Sequence, residues 1–391
     1  MKSKTTLLFI LSLLIIATPE VYSQHPSELN AIQTVVPFLI IAPDSRAGAM
    51  GDAGVATEPD AFSMHWNPAK FVFIDGDGGV GLSYAPWLRA LVPDINIAYL
   101  TGYKRIDSKQ VVSASLLYSS LGDIPFTDDF GVVQTNFNPN EFSIDAGYSR
   151  LFSEYLSGGI AFRYIYSNLT GGFTSGSTET KPGTSFAADI SGYYRKGITI
   201  SDKNAIIAYG LNFSNIGAKM SYTDSREPDY IPMNMRLGTS GTIELDSYNK
   251  LTLTVDLNKL LVPTPPLYYN KAISDSIIAG KDPNVSVPVA IFQSFFDAPG
   301  GFKEELHEIT YSVGAEYWYN DQFALRGGFF YEDPSKGNRK YFTAGAGFRL
   351  NVFSLDFSYL MPLVQNHPLA RTLRFSLSFD FDSLRNVSNP N

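Results

Sequence analysis

Leu373-Arg374-Phe375-Ser376-Leu377-Ser378-Phe379-Asp380-Phe381, close to the C-terminal end, places a large apolar side chain at every odd position and a small or charged one between. Successive side chains of a strand point to opposite faces, so this period of two marks one greasy face and one polar face. Leu251, Leu253, Val255 and Leu257 alternate in the same way with Thr252, Thr254, Asp256 and Asn258. Phe353, Leu355, Phe357, Tyr359 and Met361 alternate with Ser354, Asp356 and Ser358, and Phe323, Leu325, Phe329 and Tyr331 share a face opposite Arg326. Extending the pattern in both directions gives fourteen windows, at 76–86, 93–105, 109–120, 140–152, 155–168, 184–196, 204–215, 231–245, 248–262, 307–320, 322–332, 338–350, 352–361 and 370–381.

The connections between windows take turns in length. Short ones fall at Ile106–Ser108, Ser153–Glu154, Gly197–Lys203, Asp246–Ser247, Asp321 and Asn351, and longer ones lie between them. Short inner turns, long outer loops and an even strand count are the pattern of outer-membrane barrels. A soluble β-sandwich fits less well, because its strands average about five or six residues, whereas these windows approach the nine to eleven or so that cross a membrane. Aromatic residues gather near window ends, at Tyr84 and Trp87, Tyr193 and Tyr194, Tyr317 to Tyr319 and Phe329 to Tyr331; interface girdles would place them there. The fold class expected is therefore all-β, a transmembrane antiparallel barrel of 14 strands over 76–381. A barrel of that size leaves a lumen. Residues 24–75, rich in small residues and turn formers, are the spare material on the periplasmic side and are expected to fold inward as a hatch.

Composition agrees with a chain not surrounded by water alone: 44% of residues are hydrophobic and only 17% charged, against about 25% charged in soluble domains. Thirty basic against 38 acidic residues, net charge -8, exclude the basic face of a nucleic-acid binder. With no Cys, disulfides, thiolate metal sites and cysteine nucleophiles are all absent. At the N-terminus Lys2 and Lys4 precede the apolar run Leu7–Ala17, and Val21 and Ser23 suit cleavage before Gln24. Residues 1–23 thus read as a cleaved signal peptide. The polar stretch 382–391 reads as a C-terminal tail.

Chemistry sought in the residues is mostly not found. Gly48, Gly51 and Gly54 recur every third residue but lack the Gly-x-Gly opening of a dinucleotide site, and fit instead a tightly folded plug needing close approach or positive φ. Pro68 biases Asn67 away from helix, and Arg46 and Asp52 are expected to pair in the lumen. His25, His65, His307 and His367 are too scattered for a zinc pattern. No cofactor, metal or catalytic residue is expected. Pro263–Leu306, 44 residues, is far longer than ordinary hairpin loops, and loops of that length are commonly functional. Tyr268, Tyr269, Phe292, Phe295, Phe296 and Phe302 are expected to form an apolar partner-binding patch there, or to fold over the mouth as a lid. Asp123, Asp128, Asp129, Asp224, Glu227 and Asp229 make other loops acidic.

The segment Pro43-Asp44-Ser45-Arg46-Ala47-Gly48-Ala49-Met50-Gly51-Asp52-Ala53-Gly54-Val55-Ala56, preceded by Thr34-Val35-Val36-Pro37-Phe38-Leu39 and followed by His65-Trp66-Asn67-Pro68-Ala69-Lys70, resembles the PorV (LptO) family. These are FadL-like outer-membrane proteins of the type IX secretion system of Bacteroidetes. Asn67-Pro68-Ala69 is the looser signature of the FadL group. The resemblance implies a fourteen-stranded barrel with an N-terminal hatch motif that includes Arg46, Gly48, Gly51, Asp52, Gly54, Trp66, Asn67, Pro68 and Ala69. It implies a non-enzymatic shuttle that binds the C-terminal signal domain of cargo leaving an SprA/Sov-like translocon barrel. The shuttle then delivers its cargo to a PorU-like sortase in an attachment complex, and outer-membrane lipid is its other contact. Alternatives carried by the same resemblance are a FadL-like transporter of hydrophobic small molecules and a lipid A deacylase, for which His307 and His367 lie near external strand ends.

Overall fold

The computed structural model describes residues 29–381 apart from 93, 128–129, 131, 173, 176–177, 271–273 and 365–366. The signal peptide, His25, Asp128, Asp129 and the tail 382–391 lie outside the described residues. Fourteen antiparallel strands close into a barrel: β1 Gly78–Pro86, β2 Asn96–Asp107, β3 Gln110–Ser120, β4 Asn140–Ser153, β5 Leu156–Asn168, β6 Gly183–Ile200, β7 Lys203–Gly217, β8 Asn234–Glu244, β9 Asn249–Leu260, β10 Thr310–Tyr319, β11 Phe323–Tyr331, β12 Lys340–Leu350, β13 Phe353–Pro362 and β14 Leu373–Asp380. Each matches one sequence window. The closing seam runs antiparallel from Gly79 opposite Asp380 to Tyr84 opposite Phe375, so every strand has two neighbours and no edge is left open. Among the described residues, no helix is long and apolar enough to cross a membrane.

The period of two becomes the wall. In β9, Thr252, Thr254 and Asp256 are buried toward the lumen while Leu253 and Val255 are exposed outward. The same alternation exposes Leu82, Leu100, Ile144, Phe162, Leu237 and Phe375 around the outside. In water that surface would be a large exposed apolar patch; around a barrel it is the lipid-facing band.

Six connections are tight and seven are long, alternating as expected. The β6–β7 turn is shorter than the sequence suggested: only Ser201 and Asp202 lie outside the strands, both at positive φ (50° and 63°), as a two-residue hairpin turn requires.

The girdle expectation needs correction. Tyr84, Tyr194, Tyr317, Tyr319, Phe329 and Tyr331 face outward, with contacts such as Tyr194 to Tyr209 at 6.2 Å and Phe329 to Phe342 at 5.0 Å. Tyr193, Trp318 and Phe330 are buried on the lumen side. Neighbours in sequence on one strand must take opposite faces, so an aromatic run cannot belong wholly to the girdle.

Candidate functional site: the filled lumen and the outer rim

Among its described residues the N-terminal segment carries only short helical turns: Pro37–Ile40, Ser45–Ala49, Ser63–Trp66 and Pro68–Phe73. Most of its backbone donors and acceptors therefore need partners outside regular structure, and the inward face of the wall supplies them. Ser83 donates to Pro43 O (2.6 Å), Ser240 to Ala56 O (2.6 Å), Thr101 to Ala61 O (3.1 Å), Ser149 to Pro68 O (2.7 Å) and Ser157 to Ala69 O (2.6 Å). In the other direction, Ser376 accepts from Ser45 N, Thr343 from Gly51 N, and one Asp256 oxygen from both Gly54 N (2.7 Å) and Val55 N (2.9 Å). The Ser, Thr and Asp positions that looked like mere polar filler are the sockets of the hatch.

Its direction corrects the expectation that the segment enters from the periplasmic side. Asn30 N donates to Ser335 O and Val35 N to Tyr230 O, both in long connections at the outer end. At the other end Arg105, low on β2, donates to Ile74 O (2.5 Å) and Gly76 O (3.2 Å) just before β1 begins. The described chain thus starts at the external mouth and runs down the full depth of the barrel. Val36, Phe38 and Leu39 fill the outer lumen against Ile97, Leu117, Ile165, Met220 and Ile231.

The hatch motif is assembled as follows. Gly51 has φ +71°, and an added Cβ would lie 2.6 Å from Phe329 O; at Gly48 it would strike Arg374 and at Gly54 the Trp66 ring. Asn67 is extended (φ -166°), its carbonyl oxygen caps Ala69 N, and its amide donates to Val55 O and Gly192 O. Trp66 Nε1 donates to Asp44 (2.6 Å) while the Arg236 guanidinium sits 4.8 Å from its ring centre. Lys70 is buried and donates to Gly54 O and Thr57. His65 packs edge-on against Trp66 at 4.9 Å.

Arg46 and Asp52 do not pair with each other. Arg46 forks onto Glu316 of β10 (2.9 and 2.8 Å) and reaches Asp60 (2.9 Å), whereas Asp52 accepts from Tyr341 Oη (2.5 Å) and faces Arg374 at 3.5 Å. Asp52 adopts positive φ (62°), and its side chain meets the wall. These contacts extend a line of alternating charge on the inward face: Asp145, Arg163 and Asp189 on β4 to β6, then Glu316, Arg326 and Asp356 on β10 to β13. Sequence showed these residues on polar faces, but their partners depend on register across strands far apart in the chain.

At the outer rim the 261–309 connection contains the hairpin Leu267–Asn270 with Ser274–Ala279 and the helices Val287–Gln293 and Phe302–His307. One part of it turns inward and another stays at the surface. Leu261, Val262 and Ala290 turn inward onto the plug cluster, while Phe292 (71%), Phe296 (60%), Phe302 (78%) and Tyr269 (79%) are exposed, with Phe295 less so and Tyr268 half-buried. A buried ion cluster fixes this loop. Lys259 meets Glu305 and Glu308, and Lys336 meets Glu304 and Glu308. Asn30 Nδ2 donates to Glu304, tying the N-terminal segment into the same cluster. Burial, with Glu305 and Glu308 nearby, pushes the Asp297 carboxyl up to about 6.

Asp224 pairs with Lys181, Glu227 accepts from Asn284, and Asp123 is exposed. His307 faces Asp333 at 3.7 Å and His367 Nδ1 accepts from Leu369 N (3.1 Å). His307 thus faces a neighbouring loop, and His367 is engaged within its own.

A closed fourteen-stranded barrel with an apolar outer wall and a lumen filled by its own N-terminal segment defines an outer-membrane barrel protein. A family model described as type IX secretion system protein PorV matches residues 24–267, more than half of the sequence, and the chain belongs to the PorV family. Among solved structures it is similar to the CymD monoaromatic hydrocarbon channel (13% identity, covering 87% of this chain and 98% of that one, TM-score 0.47). It is also similar to the Ralstonia pickettii toluene transporter TbuX (12%, 90% and 97%, TM-score 0.44) and a Pseudomonas aeruginosa FadL homologue (11%, 87% and 99%, TM-score 0.41). No curated protein matches the sequence.

Proposed function

We propose that this protein is a non-enzymatic shuttle and receptor of type IX secretion, exported by a cleaved signal peptide and plugged by residues 24–75. It binds the C-terminal signal domain of cargo leaving an SprA/Sov-like translocon and delivers it to a PorU-like attachment complex. The observation that carries this reading is the contrast between lumen and rim. The hatch occupies the barrel's depth, and the space beside it bounded by Asp52, Trp66, Arg236 and Asp256 is only about 60 Å³, whereas Tyr269, Phe292 and Phe296 are offered outward on a loop braced by buried ion pairs. Aromatic side chains in such positions are typical binding anchors. The test is a Tyr269→Ser/Phe292→Ser/Phe296→Ser variant. Barrel assembly, read by heat-modifiable migration, should be unchanged and surface attachment of cargo lost; normal attachment would remove these residues from the docking site.

A FadL-like transporter of hydrophobic small molecules is the second reading. It is favoured by an outer vestibule of about 500 Å³ lined by Ile32, Pro37, Ile40 and Leu260 together with Glu332 and Arg339.

A further inference from the structure

We propose that the outer wall carries a lipid site, distinct from the docking residues above: a groove between the long loop and β8–β9 that takes one acyl chain of an anionic outer-leaflet lipid. The groove, about 180 Å³, is lined by Leu237 and Leu257 from the wall and by Phe295, Phe302, Leu306 and Ile309 from the loop. Leu237 and Leu257 are direct cross-strand partners, and Asp256, next to Leu257, points into the lumen at the hatch. The groove therefore opens outward and continues the lipid-facing wall.

Its height is fixed by register. Leu257 stands opposite Tyr311, which in turn contacts Tyr331 at 6.2 Å on the outer face. Outward tyrosines at a strand's outer end mark the boundary between headgroups and acyl chains.

The charges under the loop are arranged for a dry setting. Lys259 shares the outward face with Met235, its cross-strand partner, yet it is 4% exposed because the loop covers it with Glu305 and Glu308. A lone ammonium on a lipid-facing wall is costly. Here both carboxylates are further satisfied: Glu305 accepts from Asp297 N and Ala298 N, and Glu308 from Lys336 and Thr264. What the groove shows to its occupant is carbon. Within a bilayer, carbon walls left without contacts forfeit dispersion energy, and an acyl chain is the material at hand to fill them. Lys303, next in sequence to Phe302 of the groove, is an exposed cation at the loop surface and suits an anionic headgroup.

The test compares wild type, Phe302→Asp/Leu306→Ser and, as a control outside the groove, Phe292→Asp. Asp at the first position of the Phe302–His307 helix suits the helix start, and heat-modifiable migration reports barrel integrity. Protein delipidated in maltoside detergent is titrated with dioleoyl phosphatidylglycerol and read by native mass spectrometry. The expected result is one preferred lipid adduct in wild type and Phe292→Asp, reduced at least tenfold in the double variant. Equal lipid binding by all three, or no preferred first adduct, overturns the proposal. In a parallel arm, protein extracted directly from its own outer membrane should carry a lipid-mass adduct, and a polypeptide-mass adduct lost in the double variant would also overturn it.

Discussion

Replacing Arg46 by Ala should unseat the hatch while leaving the barrel closed. Its guanidinium donates two bonds to Glu316, one to Asp60 and one to Glu58 O, and both Arg46 and Glu316 are buried. Breaking a buried ion pair by removing one partner costs about 3–5 kcal/mol, mostly through the charge left behind. Glu316 keeps Arg326 at 2.6 Å, so the lower end applies, about 3 kcal/mol. At 1.4 kcal/mol per decade that raises the open fraction of the hatch about a hundredfold. Arg46→Lys, which retains the charge but not the fork, should fall between. The assay is single-barrel conductance in planar bilayers: rare openings in wild type, about a hundredfold more time open in Arg46→Ala, with unchanged heat-modifiable migration. If Arg46→Ala stays as tightly closed as wild type, the charge line does not hold the hatch.

Three further outcomes are expected. Gly51→Ala must adopt positive φ and place its Cβ 2.6 Å from Phe329 O; the left-handed backbone alone costs about 1–2 kcal/mol, so a lower thermal midpoint should appear in a melting curve, and an unchanged midpoint would contradict the packing described. Because the chain has no Cys and Leu29 is 70% exposed at the outer mouth, a Leu29→Cys variant should react with a membrane-impermeant maleimide on intact cells; labelling only after permeabilisation would reverse the direction of the N-terminal segment. The third outcome concerns pH. The folded Asp297 carboxyl sits above its ordinary value of 3.8, at about 6, from burial first and then Glu305 and Glu308. Folding therefore favours its protonated form, and this group's contribution to loop stability is fully present below about 3.8 and lost as pH rises through about 6. Glu304 shifts the opposite way, below 4.5, and so adds its own dependence only at more acid pH. Protease resistance of the 261–309 loop should be higher at pH 5 than at pH 7.5, with Asp297→Asn abolishing the difference; equal resistance in wild type would refute it.

The barrel was legible because strand period is local: Leu373 to Phe381 shows its two faces without knowledge of any neighbour. Gly51 was legible as a position that excludes side chains, although what it avoids, the Phe329 backbone, was not. Pairing inside the lumen was out of reach. Arg46 chooses Glu316 over Asp52 because of where the hatch lies against β10, 270 residues away in sequence. Arg326 and Asp356 meet only through the register of β11, β12 and β13. The direction of the N-terminal segment was hidden for a related reason, since Asn30 is held by Ser335 and Glu304 from two distant loops. Phe292 and Phe302 looked equivalent in sequence and part company only in the folded loop, where Phe302 lines the groove with Leu306 and Ile309 and Phe292 does not.

On the function proposed above, the working surface is the outer rim and its ligand a secreted protein. Affinity purification of the protein from native outer membranes, followed by mass spectrometry of what co-purifies, addresses it directly. Secreted proteins sharing a C-terminal domain should be recovered with wild type and lost with the Tyr269→Ser/Phe292→Ser/Phe296→Ser variant. Recovery of hydrophobic small molecules without any such protein would contradict the account.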